Sequence, residues 1–187
     1  IKIFGVPVYA SLIQGAGLGS AKWSTRPHKG RVDVETSLII SKEETKSLTV
    51  DEIMERINSS LAYNEFEYQK KTGVLIKGDD KLEGFDTMFY KCPCCEKEFG
   101  IVSKNNQVEC TKCGTKAEID DSFRFHWNGG KEYFDNYSQW YDWQLEKMKE
   151  EVSDPDFKME ELVDYGTDEP GIDNYVKVGR GVMKFTH

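Results

Sequence analysis

Five cysteines occur in this 187-residue chain, and four of them form two C-x-x-C pairs, Cys92 with Cys95 and Cys110 with Cys113, fourteen residues apart. A C-x-x-C turn presents both side chains to one point, so two such turns supply four thiolates that converge at tetrahedral angles, the donor set of a closed structural zinc site. Pro93 stiffens the first turn, Gly114 lets the backbone curl beneath the ion after the second, and Asn105-Asn106 turn the hairpin between them. The spacing thus reads as a zinc ribbon with Cys92, Cys95, Cys110 and Cys113 as ligands to structural Zn2+. Cys94 falls outside the C-x-x-C spacing and should point away. Tetrahedral thiolate sites also accept iron, so zinc and iron both stay open. Free or redox-active thiols are the competing reading, and four thiols at ribbon spacing argue against it. With all four positions filled by protein no water can be activated, so the ion should stabilise the fold rather than catalyse.

The other chemistry-bearing residues are sparse. His28 and Asp33 stand five apart, the spacing of a base and its orienter, but Pro27 precedes His28, Gly30 interrupts, and Asp33 sits in an alternating strand, so the pair lacks the fixed geometry that general-base catalysis needs. His126, between Phe125 and Trp127, reads as a packed member of an aromatic cluster, and His187 is terminal. No catalytic residue is expected in this chain. The formal net charge is −8, divided as +3 over residues 1–50, −3 over 51–91, −1 over 92–130 and −7 over 131–187. An acidic chain whose cysteine segment carries no cationic surplus lacks the basic face that phosphate binding requires, and nucleic acid is not an expected partner. No run approaches the roughly 18 apolar residues of a membrane span. Unpaired C-x-x-C cysteines without a secretion signal suit a reducing, cytoplasmic compartment.

The elements that must position the cysteines follow from periodicity. GVPVYASLIQ (5–14) has strand composition, with Ile1 to Tyr9 read as strand interior, and GAGLGS (15–20) breaks it. In RVDVETSLII (31–40), Val32 and Val34 alternate with Asp33 and Glu35, predicting a second strand with one buried face. Thr49 three residues before Glu52 is a capping-box signature. Behind it Val50, Ile53, Met54, Ile57 and Leu61 form a helical stripe assigned to the core. Residues 62–72 extend that helix or start another, ended by Gly73. Residues 116–134 read as strands or irregular structure. Asn136 or Ser138 caps a helix to about Val152 with the stripe Tyr137, Trp140, Tyr141, Leu145, Met148 and Val152, and Trp140 and Trp143 give it the area to dock firmly. Asp154 to Asp173 reads as an acidic linker or loose loop, and YVKVGRGVMKFTH resumes a strand pattern.

The N-terminal stretch resembles the C-terminal half of the bacterial glycerophospholipid acyltransferases, which include 1-acylglycerol-3-phosphate acyltransferase. The resemblance lies in GVPVYASLIQGA (5–16) with its V-P-V core, Lys22-Trp23, the Gly-Arg-Val turn at 30–32, SKEE (41–44) and the following helix. Similar acyltransferases of some Gram-positive bacteria carry an extension resembling EFEYQ (65–69), EGFDTMFYKCPCC (83–95) and SQWYDWQLEKMKEEV (138–152). The resemblance implies a mixed α/β remnant over residues 1–74, a zinc ribbon with flanking strands over 75–130, and a helix, acidic linker and strand over 131–187. It implies phospholipid biosynthesis by a parent enzyme that transfers an acyl group, from acyl-CoA or acyl carrier protein, to a lysophosphatidate-like acceptor. That family's His-x-x-x-x-Asp and E-G-T-R-like blocks lie upstream of the V-P-V strand, so this chain is expected to be an inactive excerpt. Acyl carrier protein, or the inner face of the cell membrane, would be a partner through the parent protein. An uncovered sheet edge or face predicts a homodimer. The alternative is a stand-alone zinc-ribbon module that binds protein, less readily nucleic acid.

Overall fold

The computed structural model describes residues 1–24, 26–167 and 176–186, which build an α+β protein. The chain divides into two compact units, Ile1–Trp140 and Tyr141–His187, and the division falls inside a helix. The boundaries expected at residues 74 and 130 both lie within the first unit.

The first unit begins with a turn over residues 2–5 rather than strand interior. Strand β1 (Val8–Gln14) pairs antiparallel with β2 (Asp33–Ile40), joined through the short turn α1 (Ala16–Gly19). The expected buried face of β2 is a correction: Ile40 is buried, but Val34 and Leu38 are exposed and lie opposite exposed Ile13 and Tyr9. Among the described residues this sheet has two strands, and nothing else in the first unit covers Val34 and Leu38.

A short helical turn, α2 (Glu44–Ser47), precedes α3 (Val50–Ser60), which starts where the capping box places it. The Thr49 side chain accepts from the Glu52 amide, and the Glu52 carboxylate accepts from the Thr49 amide at 2.7 Å. Its apolar stripe is not core throughout, because Ile53 is buried whereas Val50, Met54 and Leu61 are exposed. The helix packs on both strands of that sheet, which is too small to cover the rest of the stripe. Residues 62–72 form a separate helix, α4 (Glu65–Thr72), because Asn64 leaves helical geometry and its side chain caps the Phe66 and Glu67 amides. Gly73, at φ +66°, ends it.

The core of the unit is aromatic. After α4 the chain runs through a 3₁₀ turn (Phe85–Thr87) into a four-stranded antiparallel sheet in sequence order: β3 (Ile101–Lys104), β4 (Gln107–Cys110), β5 (Lys116–Ile119) and β6 (Phe125–Trp127). Trp23, from the loop between β1 and β2, donates its indole N–H to the Lys81 carbonyl at 2.9 Å and packs edge-on against Phe85, Phe89 and Tyr137. That tryptophan ties the N-terminal strands to the segment leading into the cysteines. Helix α5 (Tyr137–Val152) starts at Asn136, whose carboxamide oxygen accepts from the Ser138 and Gln139 amides, and its first turn brings Trp140 into this core.

In the second unit, the segment read as an acidic linker contains strand β7 (Lys158–Thr167), paired antiparallel with β8 (Val176–Thr186). The acidic composition misled because Glu160 and Asp164 have basic cross-strand counterparts. Glu160 lies 3.0 Å from Lys184, and Asp164 2.7 Å from Arg180 and 2.8 Å from Lys177. Paired charges leave Met159, Val163 and Tyr165 free to behave as strand residues. The part of that segment at 168–173, Tyr175 and His187 lie outside the described residues.

Candidate metal centre

The four sulfurs are held by two local turns with the same internal bonding. In the first, the Cys92 carbonyl accepts from the Glu96 amide at 2.9 Å, and the Cys92 amide donates to the Lys97 carbonyl at 3.0 Å. In the second, the Cys110 carbonyl accepts from the Gly114 amide at 2.7 Å, and the Cys110 amide donates to the Thr115 carbonyl at 2.8 Å. Each turn ends on a residue in the left-handed region, Glu96 at φ +55° and Gly114 at φ +76°. Each is closed by one antiparallel pair at the same offset, Lys91 with Glu98 and Glu109 with Lys116, and each pair is an ion pair, at 3.1 and 2.9 Å. The acid and base exchange sides between the two turns. Gly114 is visible in the sequence as a turn former. Glu96 is not, because a glutamate carries no signal for a positive φ.

The turns face each other at close range. The Thr111 amide donates to the Gly100 carbonyl at 2.8 Å, and a side chain at Gly100 would stand 2.9 Å from Lys112 Cγ and 3.4 Å from Cys110 Sγ. Glycine at 100 is what permits that approach. The Asn105-Asn106 turn falls between β3 and β4 as expected, with Asn105 at φ +57°.

The result is a cluster in which the sulfurs of Cys92, Cys95, Cys110 and Cys113 all lie within 4.8 Å of one another. Cys92 and Cys113 are 3.7 Å apart and Cys95 and Cys110 3.9 Å, and no disulfide forms. A metal–sulfur bond of about 2.3 Å in tetrahedral geometry requires sulfur–sulfur edges of about 3.8 Å. The four-cysteine group therefore has the donors and the spacing to hold a metal ion. Cys94, the fifth cysteine, is exposed and outside the cluster. It lies against the Tyr133 hydroxyl, and that contact first, with burial second, pushes the tyrosine up to about 12.

Burial raises the Cys92 thiol strongly and the Cys110 thiol as well, even though backbone amides point at both sulfurs: those of Cys94 and Cys95 at Cys92, and those of Lys112 and Cys113 at Cys110. Burial pushes the Cys113 thiol up, but the hydroxyl and amide of Thr115 together with the neighbouring Cys110 and Cys92 sulfurs bring it down to about 6. Four thiolates at these distances repel one another, and a divalent cation at their centre removes that repulsion.

His28 and His126 have other partners. His28 Nε2 lies 2.7 Å from Asp80, while Asp33 accepts from Arg31 at 2.9 Å and from the Tyr68 hydroxyl at 2.8 Å, so His28 and Asp33 are not brought together. His126 is a correction. It is exposed on the outer face of β6 and bonds Asp120 at 2.9 Å, because alternation along the short strand turns Phe125 and Trp127 inward and the residue between them outward. Asp120 itself organises the β5–β6 turn. Its Oδ1 accepts from the Ser122 amide, the Ser122 hydroxyl and the Arg124 amide. Burial raises this carboxyl, and the hydrogen bonds from Ser122, His126 and Arg124 overcome that and hold it at about 2. The D-x-S turn pattern carried that information in the sequence.

Comparison with protein families, with curated proteins and with solved structures finds no match for this chain. Among the described residues no helix is long and apolar enough to cross a membrane.

Proposed function

We propose that Cys92, Cys95, Cys110 and Cys113 bind one structural Zn2+, and that the chain is a zinc-ribbon accessory region of an acyltransferase. The sulfur–sulfur spacing carries the metal reading. The ion would supply charge neutralisation and a cross-link between two turns, and the protein's own work is to hold four sulfurs at the vertices of a tetrahedron.

The acyl-transfer reading rests on the residue blocks at 5–16, 30–32 and 41–44 and on the extension around the cysteines. Under it, transfer from acyl-CoA or acyl carrier protein to a lysophosphatidate-like acceptor belongs to the parent protein and not to this segment. Its test is the coding sequence adjoining this segment. A His-x-x-x-x-Asp block followed by an E-G-T-R-like block supports the kinship, and the absence of both removes it.

For the metal, protein purified without chelator should contain one zinc per chain by elemental analysis, and iron would show as colour. Cys92→Ser or Cys110→Ser should lower zinc to well below one per chain and unfold the region, since the free energy of binding a structural zinc is folding free energy. Substoichiometric metal in the unaltered protein defeats this reading.

A further inference from the structure

Trp140 lies outside the cysteine motif, yet it touches the metal centre through one peptide bond. Its side chain is completely buried, and its indole N–H donates to the Lys91 carbonyl at 3.0 Å. That carbonyl belongs to the peptide joining Lys91 to Cys92, whose nitrogen end donates to the Lys97 carbonyl at 3.0 Å. A peptide unit is a rigid plane. Held at its oxygen by Trp140 and at its nitrogen by the turn, this one has its orientation fixed, and with it the direction in which Cys92 projects its sulfur.

The second turn shows why the first needs such a contact. Cys110 ends β4, which lies between β3 and β5, so the peptide entering that turn is flanked by strands on both sides. Lys91 belongs to no strand, and its backbone pairing is a single bridge to Glu98. The indole gives the Lys91 carbonyl a fixed partner from outside the turn, as the flanking strands hold β4 at Cys110. Phe85 and Phe89, stacked on each other at 3.9 Å, meet the Trp140 ring edge-on, and Phe125 and Trp127 of the sheet close its other side. The ring is therefore anchored independently of the hydrogen bond it donates.

We propose that Trp140 is a positioning residue for the metal centre, orienting the Lys91–Cys92 peptide and hence Cys92 Sγ, so that metal binding and docking of the first turn of α5 are one coupled equilibrium. This rests on the four-cysteine group being a metal site. Coupling of this kind is reciprocal: whatever Trp140 adds to metal affinity, the metal adds to the docking of Trp140.

The test is zinc affinity of the full chain, measured by competition with a chromogenic chelator, together with the absorption spectrum of the cobalt-substituted protein. Trp140→Phe keeps a ring in the aromatic cluster and removes the N–H. It should weaken zinc binding about tenfold, the effect typical of losing a hydrogen-bonded partner of a metal ligand, and shift the cobalt–thiolate bands. Tyr137→Phe, on the same turn but without a bond to the cysteine turns, should change neither. Should Trp140→Phe misfold, replacing the indole with its benzothiophene isostere removes the N–H without altering shape and should give the same loss. Wild-type affinity and an unchanged cobalt spectrum in either variant overturn the proposal while leaving the metal site intact. Failure of the unaltered chain to bind cobalt or zinc at all instead defeats the metal reading itself.

Discussion

Two residues in the left-handed region end the cysteine turns, and they have opposite chemistry. Gly114 adopts φ +76° freely, whereas Glu96 holds φ +55° against the clash of its own Cβ. Open space surrounds the Cβ position of Gly114, so Gly114→Ala meets only the conformational penalty. It should cost about 1 kcal/mol by urea unfolding, and Glu96→Gly should shift stability the other way by a smaller amount. Asp120 makes a pH-dependent contribution. Its carboxyl is held at about 2 in the folded chain, below the ordinary value near 4, so its stabilisation is complete above about pH 4 and is lost as the pH falls toward 2. Asp120→Ala should cost about 1 kcal/mol at neutral pH, the low end for several hydrogen bonds to a partly exposed carboxylate. The gap between its urea midpoint and that of the unaltered chain should narrow only below about pH 4.

Two helix starts were legible because a side chain near in sequence satisfies the free amides, whereas the equally local Asn64 cap of α4 was left open between an extension and a new helix. The Thr49 capping box and the Asn136 cap are such local chemistry, as is the end of α4 at Gly73. Thr49→Ala should lower stability by about 1 kcal/mol without moving the helix boundary, as checked by thermal unfolding and circular dichroism. What a helix or strand faces was much less legible. The stripe of α3 and the alternation of β2 have the periodicity of core elements, but periodicity marks which residues share a face and not whether another layer covers it. Val34, Leu38, Val50 and Met54 remain exposed for that reason. Strand β7 failed in the opposite direction. Its acidic residues suggested a linker, and the basic residues that pair with Glu160 and Asp164 belong to β8, where a local reading has no access to them.

Across the molecule, stability should follow metal occupancy. A ligand that binds only the folded chain adds RT ln(1 + [L]/Kd), about 2.7 kcal/mol when free zinc is buffered at one hundred times its dissociation constant. Denaturation midpoints of the unaltered chain should therefore climb with buffered zinc, and those of Cys110→Ser should stay flat. The cysteine spacing by itself determined the candidate ligands and the two turns, because a C-x-x-C turn is closed by bonds among neighbouring residues. Other local residues likewise determined the Thr49 and Asn136 caps and the Asn105-Asn106 turn between β3 and β4. That the four sulfurs share one centre was also expected from the cysteine spacing, whereas tertiary structure alone decided that Gly100 lets the turns approach and that an indole from α5 holds the peptide entering the first turn. Those depend on contacts between residues far apart in the chain, such as Lys91 with Trp140 or Trp23 with Lys81, and no local pattern encodes which distant partner a buried carbonyl will find.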